Sequence, residues 1–201
     1  MEGIKRICTN CGKLKHLSEF YKLNGGKYGK MSICKTCDNK RKQEYGRTKD
    51  GIITQIYSDQ ISTSKQRNYP SPTYTKQELK DWMFSQKIFH ELFDNWKNSE
   101  YNTYMKPSCD RIDDYDSYSL DNIQLITWMD NKLKAYNDKR NGINNKNSKA
   151  VISINIITGE ETNYYSARQA SRETGVNQGN LSSCCRGEKN IAGGFYWKFT
   201  E

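Results

Sequence analysis

The stretch Asp110–Asn131, DRIDDYDSYSLDNIQLITWMDN, begins with an Asp, carries an Asn at position 122 and ends with a second Asn nine residues on. A polar turn, a short apolar run and the start of a helical pattern lie between them. An Asp and two Asn offer oxygen ligands, which suit a hard ion such as Mg²⁺ that keeps several waters and takes substrate phosphates. Such an ion implies phosphodiester hydrolysis.

These residues need elements to position them. Arg111-Ile112 and Ile123–Thr127 alternate well enough for two strands of a hairpin, with Asp113–Asp121 as the loop between them. Trp128–Tyr136 reads as a helix with Leu133 near its apolar side. A strand pair packed on that helix would bring Asp110 and Asn131 together. Asn122 would brace the loop or orient a catalytic group. Asp and Asn are also ordinary turn formers, so the turn alone fits a plain hairpin. The D-x-D-x-D-G series of an EF-hand is absent.

Cys8-x-x-Cys11 and Cys34-x-x-Cys37 are separated by 22 residues. Two such pairs make a closed tetrahedral Cys₄ site, the usual arrangement for one structural Zn²⁺. His16 is an alternative ligand, although a lone His is usually a surface residue. The segment LNGGKYGK reads as a flexible, basic hairpin tip. Residues 1–50 hold 13 Lys/Arg against 5 Asp/Glu, nearly all of the chain's +9 excess. A basic block of this kind suits a polyanion, with a solvated surface as the plain alternative.

The 201 residues are only 34% hydrophobic, which favours several small modules over one large core. No apolar run approaches a membrane span, and MEGIKRICTN lacks a signal peptide's apolar core. A cytoplasmic protein with reduced thiols is expected. After the cysteines, KTCDNKRKQEYGRTKDG looks helical, as does Ile52–Arg67, with Ile53, Ile56, Tyr57 and Ile61 on one side. Tyr69-Pro-Ser-Pro-Thr ends that helix. Thr75-Lys-Gln-Glu78 is a capping box that opens a helix with Leu79, Trp82, Met83, Phe89, Phe93 and Trp96 as its core stripe. His90 on the same helix reads as structural. Residues 141–150 read as a linker or extended arm.

The last fifty residues predict two strands, AVISINI and ETNYY, then two short helices, SARQASRET and VNQGNLSSCC, then a closing strand, GGFYWKF. Ser166 caps the first helix, Gly175 makes the turn, and Ala167, Ala170, Val176 and Leu181 are expected between the helices. This is helix-turn-helix spacing. Its candidate DNA contacts are Arg168, Asn177, Gln178, Asn180, Arg186 and Lys189, whose amide, ammonium and guanidinium groups suit base edges and phosphates.

Residues 106–138 resemble the HNH endonucleases, the ββα-metal nucleases, most closely the phage-type form S-x-D-R-I-D…Y…D-N-I-Q-L…N. Residues 151–199 resemble the small DNA-binding modules of intron-encoded and homing nucleases, the NUMOD1-like repeats, and a Cys₄ module is common ahead of such a core. The resemblance implies that Asp110 and Asn131 hold a catalytic Mg²⁺ or Mn²⁺ and that Asn122 holds the loop and orients the base. The family's general-base His falls at position 111, which is Arg here and cannot accept a proton. Asp113, Tyr115 or Tyr118 would then take the proton, or the ion would act with little help. Arg111 itself would stabilise phosphate charge or pair with Asp113.

The expected architecture is α+β in several modules. These are a Cys₄ zinc ribbon at 1–45, a helical lead-in and ββα HNH core at 46–140, a linker at 141–150 and a β-plus-helix-turn-helix module at 151–201. The expected activity is metal-dependent cleavage of double-stranded DNA, one strand per site, by a monomer or weak dimer. The alternatives are a non-catalytic DNA-binding or packaging-accessory protein that retains the fold, which Arg111 favours, and an RNA-binding zinc protein.

Overall fold

Two small antiparallel hairpins open the chain: β1 (Lys5–Ile7) with β2 (Leu14–His16), and β3 (Phe20–Lys22) with β4 (Lys30–Cys34). Cys8 and Cys11 lie in the turn of the first. Cys34 ends β4, and α1 (Lys35–Gly46) starts at once, which places Cys37 in its first turn. Phe20 is fully buried beside Cys8 and Cys34 and forms the small core of this module. The computed structural model describes residues 3–200.

Thr48 caps α2 (Lys49–Gln66), its hydroxyl accepting from the Gly51 N–H at 3.0 Å. The buried face of α2 is Ile52, Ile53, Ile56, Gln60 and Ser64, whereas Ile61 is exposed, contrary to expectation. The capping box at Thr75 and Glu78 forms as its spacing predicts and starts α3 (Lys76–Ser85). The aromatic stripe beyond it does not lie on one helix. Gln86 is extended, with ψ of 116°, and α4 (Lys87–Asn98) begins after it. The break lets α3 lie along α2 while α4 covers the hairpin of β5 (Pro107–Arg111) and β6 (Ile123–Thr127). Leu79, Met83 and Phe89 are fully buried around the break and join Ile52, Ile53, Trp96, Cys109 and Leu125 in one core. Burial on both sides of Gln86 outweighs the helical hydrogen bonds lost there.

β6 runs directly into α5 (Trp128–Arg140), and the chain divides into two compact units between Trp128 and Met129. The second unit therefore takes in most of α5 together with the segment at 141–150. Leu133, expected near an apolar face, is exposed. The remainder is the expected series: β7 (Val151–Asn155), β8 (Glu161–Tyr164), α6 (Ala167–Thr174), α7 (Gln178–Cys185) and β9 (Phe195–Phe199). Its sheet is antiparallel in the order β8-β7-β9. Ser166 caps α6 and Gly175 ends it at φ 73°, a left-handed conformation that favours glycine. Val151, Ala170, Leu181 and Trp197 fill the core between sheet and helices. The helical, small-sheet architecture is α+β, as expected.

Phe89→Ala should lower the stability of the first unit by about 3–5 kcal/mol, since it empties a fully enclosed aromatic site. Ile157→Ala, at a side chain 89% exposed, should change stability by less than about 0.5 kcal/mol. Urea unfolding of the two variants beside wild type checks both.

Candidate functional site

The β5–β6 hairpin aligns Asp110 opposite Gln124 and Arg111 opposite Ile123. Side chains on a strand alternate between faces. Cys109 and Arg111 are buried on the core side, with Ile123 and Leu125, while Ser108, Asp110, Gln124 and Ile126 are only partly covered on the other. The Gln124 side-chain amide donates to Asp110 Oδ2 at 3.3 Å, which restrains the carboxylate rotamer. Gln124 was not singled out by sequence reasoning, although strand pairing from the expected hairpin points to it.

Arg111 occupies a different environment from its neighbour. It is 3% exposed, and its guanidinium donates to the Asp116 carbonyl at 2.9 Å. Tyr69 and Tyr118 contribute ring faces at 5.3 and 4.9 Å from the guanidinium carbon. Its acidic neighbour is Asp114, at 3.8 Å, rather than the expected Asp113. The Asp113 carboxylate instead accepts from the Tyr115 N–H at 2.7 Å, a turn-forming contact. Burial pushes the Tyr118 phenol above its usual range. Burial likewise pushes the Cys109 thiol up to about 12, so it behaves as a neutral core side chain.

Asn122 is the tie of the loop. Its Oδ1 accepts from the Asp113 N–H at 2.8 Å, and its Nδ2 donates to the carbonyls of Asp113 and Ser117 at 3.0 and 2.9 Å. Three bonds from one buried amide close residues 113–117 over the end of the hairpin. Asn131 lies in the first turn of α5, within the second unit.

The sulfur atoms of Cys8, Cys11, Cys34 and Cys37 lie within 4.8 Å of one another. Tetrahedral Zn²⁺ with bonds of about 2.3 Å needs sulfurs roughly 3.8 Å apart, so the cluster fits a metal ion. Burial opposes charge on Cys8, but N–H donors from Cys34, Cys11 and Asn10 outweigh it and hold the thiol at about 6. The Cys34 N–H donates to Cys8 Sγ at 3.3 Å. A thiol so placed is ready to ligate as thiolate.

The two histidines lie on β2 and α4, outside the β5–β6 hairpin. His16 is exposed on β2. His90 Nε2 meets the Phe84 carbonyl at 2.9 Å and Nδ1 meets Lys49 Nζ at 2.6 Å. A carbonyl only accepts, so Nε2 carries the proton and Nδ1 accepts from the ammonium. His90 thereby ties α4 to α2.

In the second unit, Asn177 caps α7, its Oδ1 accepting from Gly179 and Asn180. Lys189 donates to Asn180 at 2.7 Å, and Arg186 pairs with Glu188 at 2.6 Å, which depresses the Glu188 carboxyl to about 2. Arg168 and Gln178 line a separate hollow with Lys139, Lys149 and Arg172. The last three were not expected as site residues, because nothing in their sequence spacing links them.

Comparisons with known proteins find three similarities. Residues 152–198 match the family model described as the DNA endonuclease I-HmuI-like, NUMOD-like domain. An uncharacterized HNH endonuclease of Acanthamoeba polyphaga mimivirus is 27% identical over 157 residues, 75% of this chain and 37% of that protein. The chain thus spans little more than a third of that relative's length. A solved structure described as DNA binding and cleavage by the HNH homing endonuclease I-HmuI aligns at 21% identity. It covers 47% of this chain and 58% of that one, with a TM-score of 0.27. The C-terminal module is thus similar to a NUMOD-like domain, and most of the chain is similar to part of a protein named as an HNH endonuclease.

Asn122→Ala removes all three loop bonds at once and should cost about 2–4 kcal/mol, because three hydrogen bonds to partly covered backbone groups are lost together. The local readout is hydrogen exchange of the Asp113 amide, which should lose its protection in the variant and keep it in wild type.

Proposed function

We propose that the chain is a metal-dependent DNA endonuclease of the HNH type that nicks one strand per site. The observation that carries this reading is the pairing of Asp110 with Gln124 on the open face of a β-hairpin whose loop is closed by Asn122. It is the arrangement that the HNH resemblance assigns to a metal-ligand Asp and a loop-holding Asn. On that resemblance Asn131 is the second ligand, and Mg²⁺ or Mn²⁺ the ion.

A divalent ion bound there supplies charge stabilisation at the scissile phosphate and acidifies a water. The chain's own residues do the rest. Gln124 fixes the Asp110 carboxylate. Asn122 keeps the 113–117 loop from collapsing onto the strand end. Arg111 is turned into the core, away from Asp110, and acts as the pin of that loop rather than as a phosphate clamp. Tyr118 keeps its proton because burial disfavours the phenolate. Asp113 and Tyr115, exposed on the loop, stay the candidate proton acceptors, a weaker arrangement than a general-base His, so slow turnover is expected. The Cys₄ cluster takes one structural Zn²⁺, and its metal holds the basic N-terminal module together.

The test is nicking of supercoiled DNA with Mg²⁺ or Mn²⁺. Wild type should convert supercoiled to open-circular DNA, EDTA should stop it, and Asp110→Ala should reduce it by at least 100-fold, on the order of the loss of a principal catalytic interaction. A wild type that nicks with neither ion leaves the non-catalytic DNA-binding reading in its place, and nicking by Asp110→Ala at the wild-type rate removes Asp110 from the site. Metal analysis should find about one zinc per chain in wild type and much less in Cys34→Ser.

A further inference from the structure

Five cations from three segments converge on one side of the second unit. Lys139 and Arg140 end α5, Lys149 precedes β7, and Arg168 and Arg172 lie one turn apart on α6. All five are exposed. They line two hollows of about 390 and 430 Å³ that share Lys139, Arg168 and Arg172. Among the described residues no Asp or Glu lines either hollow. Three other cations of the unit stand beside carboxylates: Lys134 with Asp138, Arg186 with Glu188, Lys198 with Glu161. The hollows gather positive charge with no carboxylate in their lining.

The surroundings hold this charge in place. Arg172 donates to the Arg140 carbonyl at 2.8 Å and to the Tyr165 hydroxyl at 2.9 Å, and that hydroxyl donates to the same carbonyl. Both acceptors are neutral, so the guanidinium charge is oriented without being cancelled. The segment at 141–150 is tied down rather than extended. Asn141 and Ile143 donate back to Asn137 and Asp138 at 2.8 Å, and Ser148 donates to Asn145 at 2.8 Å. Gly142, at φ 77°, lies so close to Tyr165 that a Cβ would meet its ring at 2.5 Å. The end of α5, the connecting segment and α6 thus form a fixed joint. Like charges gathered at a fixed joint raise the local positive potential, which attracts a polyanion.

We propose that this joint is a clamp for the phosphodiester backbone of DNA, holding neighbouring phosphates of one strand without reading bases. It rests on the DNA reading above and adds a contact surface distinct from the exposed side of α7, where Asn180, Arg186 and Lys189 are engaged with one another and with Glu188. Arginine forks and lysine ammonium groups facing a shallow hollow match phosphate oxygens better than base edges. Lys139 is eight residues beyond Asn131 on α5, about 12 Å along the helix axis. A strand gripped here therefore steadies the helix that carries Asn131.

The test is DNA affinity of the full chain against salt, for wild type and Lys139→Gln/Arg168→Gln, both exposed positions, on an uncleaved duplex without divalent metal. Each phosphate contact contributes about 0.9 to the slope of log K against log salt. The double variant should therefore show a slope shallower by about 1.8, at least tenfold weaker binding near physiological salt, and unchanged thermal unfolding. Preference among duplex sequences should stay as in wild type. A second pair, Lys149→Gln/Arg168→Gln, should behave alike. If wild type binds and both pairs keep its affinity and slope, the clamp is overturned while the endonuclease reading stands. If wild type fails to bind duplex DNA at all, both fall together.

Discussion

The two-residue period of β5 is the constraint on which the candidate site depends. Adjacent residues on a strand face opposite sides, so Asp110 and Arg111 cannot serve one surface. The core takes the odd positions, Cys109 and Arg111, because Ile123 and Leu125 face them from β6. That leaves Asp110 on the open side with Gln124. A one-residue slip would bury the carboxylate and expose the apolar set, so the register that builds the core also keeps Asp110 on the face where the proposed site needs it.

Arg111 shows how a cation can be spent on structure. Its charge is desolvated, and the cost is offset by a carbonyl, a nearby carboxylate and two aromatic faces. In return it fixes the loop that Asn122 also closes, so the strand end is held from two sides. Where the HNH pattern has a base, this chain has a pin. Position 111 therefore serves the loop and the core, not the Asp110 face.

Much of this was legible in the sequence, and the reasons differ by element. The Cys pairs declared their cluster because a C-x-x-C turn has few geometries. The hairpin, Asn122 and the β-plus-two-helix module were legible because short-range periodicity and capping residues act locally. The break at Gln86 was not, since the 3.6-residue pattern continues across it and only the need to cover both α2 and the hairpin bends the chain. Burial of Arg111 was hidden because its cage includes Tyr69, far away in sequence. The polar segment at 141–150 read as an arm because its anchoring depends on Tyr165 beside Gly142, a tertiary contact with no local signature.

The most direct measurement of the division between Asp110 and Arg111 is the nicking rate of Arg111→Leu, expressed per folded molecule, with stability measured on the same sample. With Arg111 as a pin, the variant should show an altered unfolding midpoint and a nicking rate per folded chain within about threefold of wild type, under about 1 kcal/mol of barrier. A variant that keeps wild-type stability yet loses nicking would contradict it, because Arg111 would then act on the substrate and not on the loop.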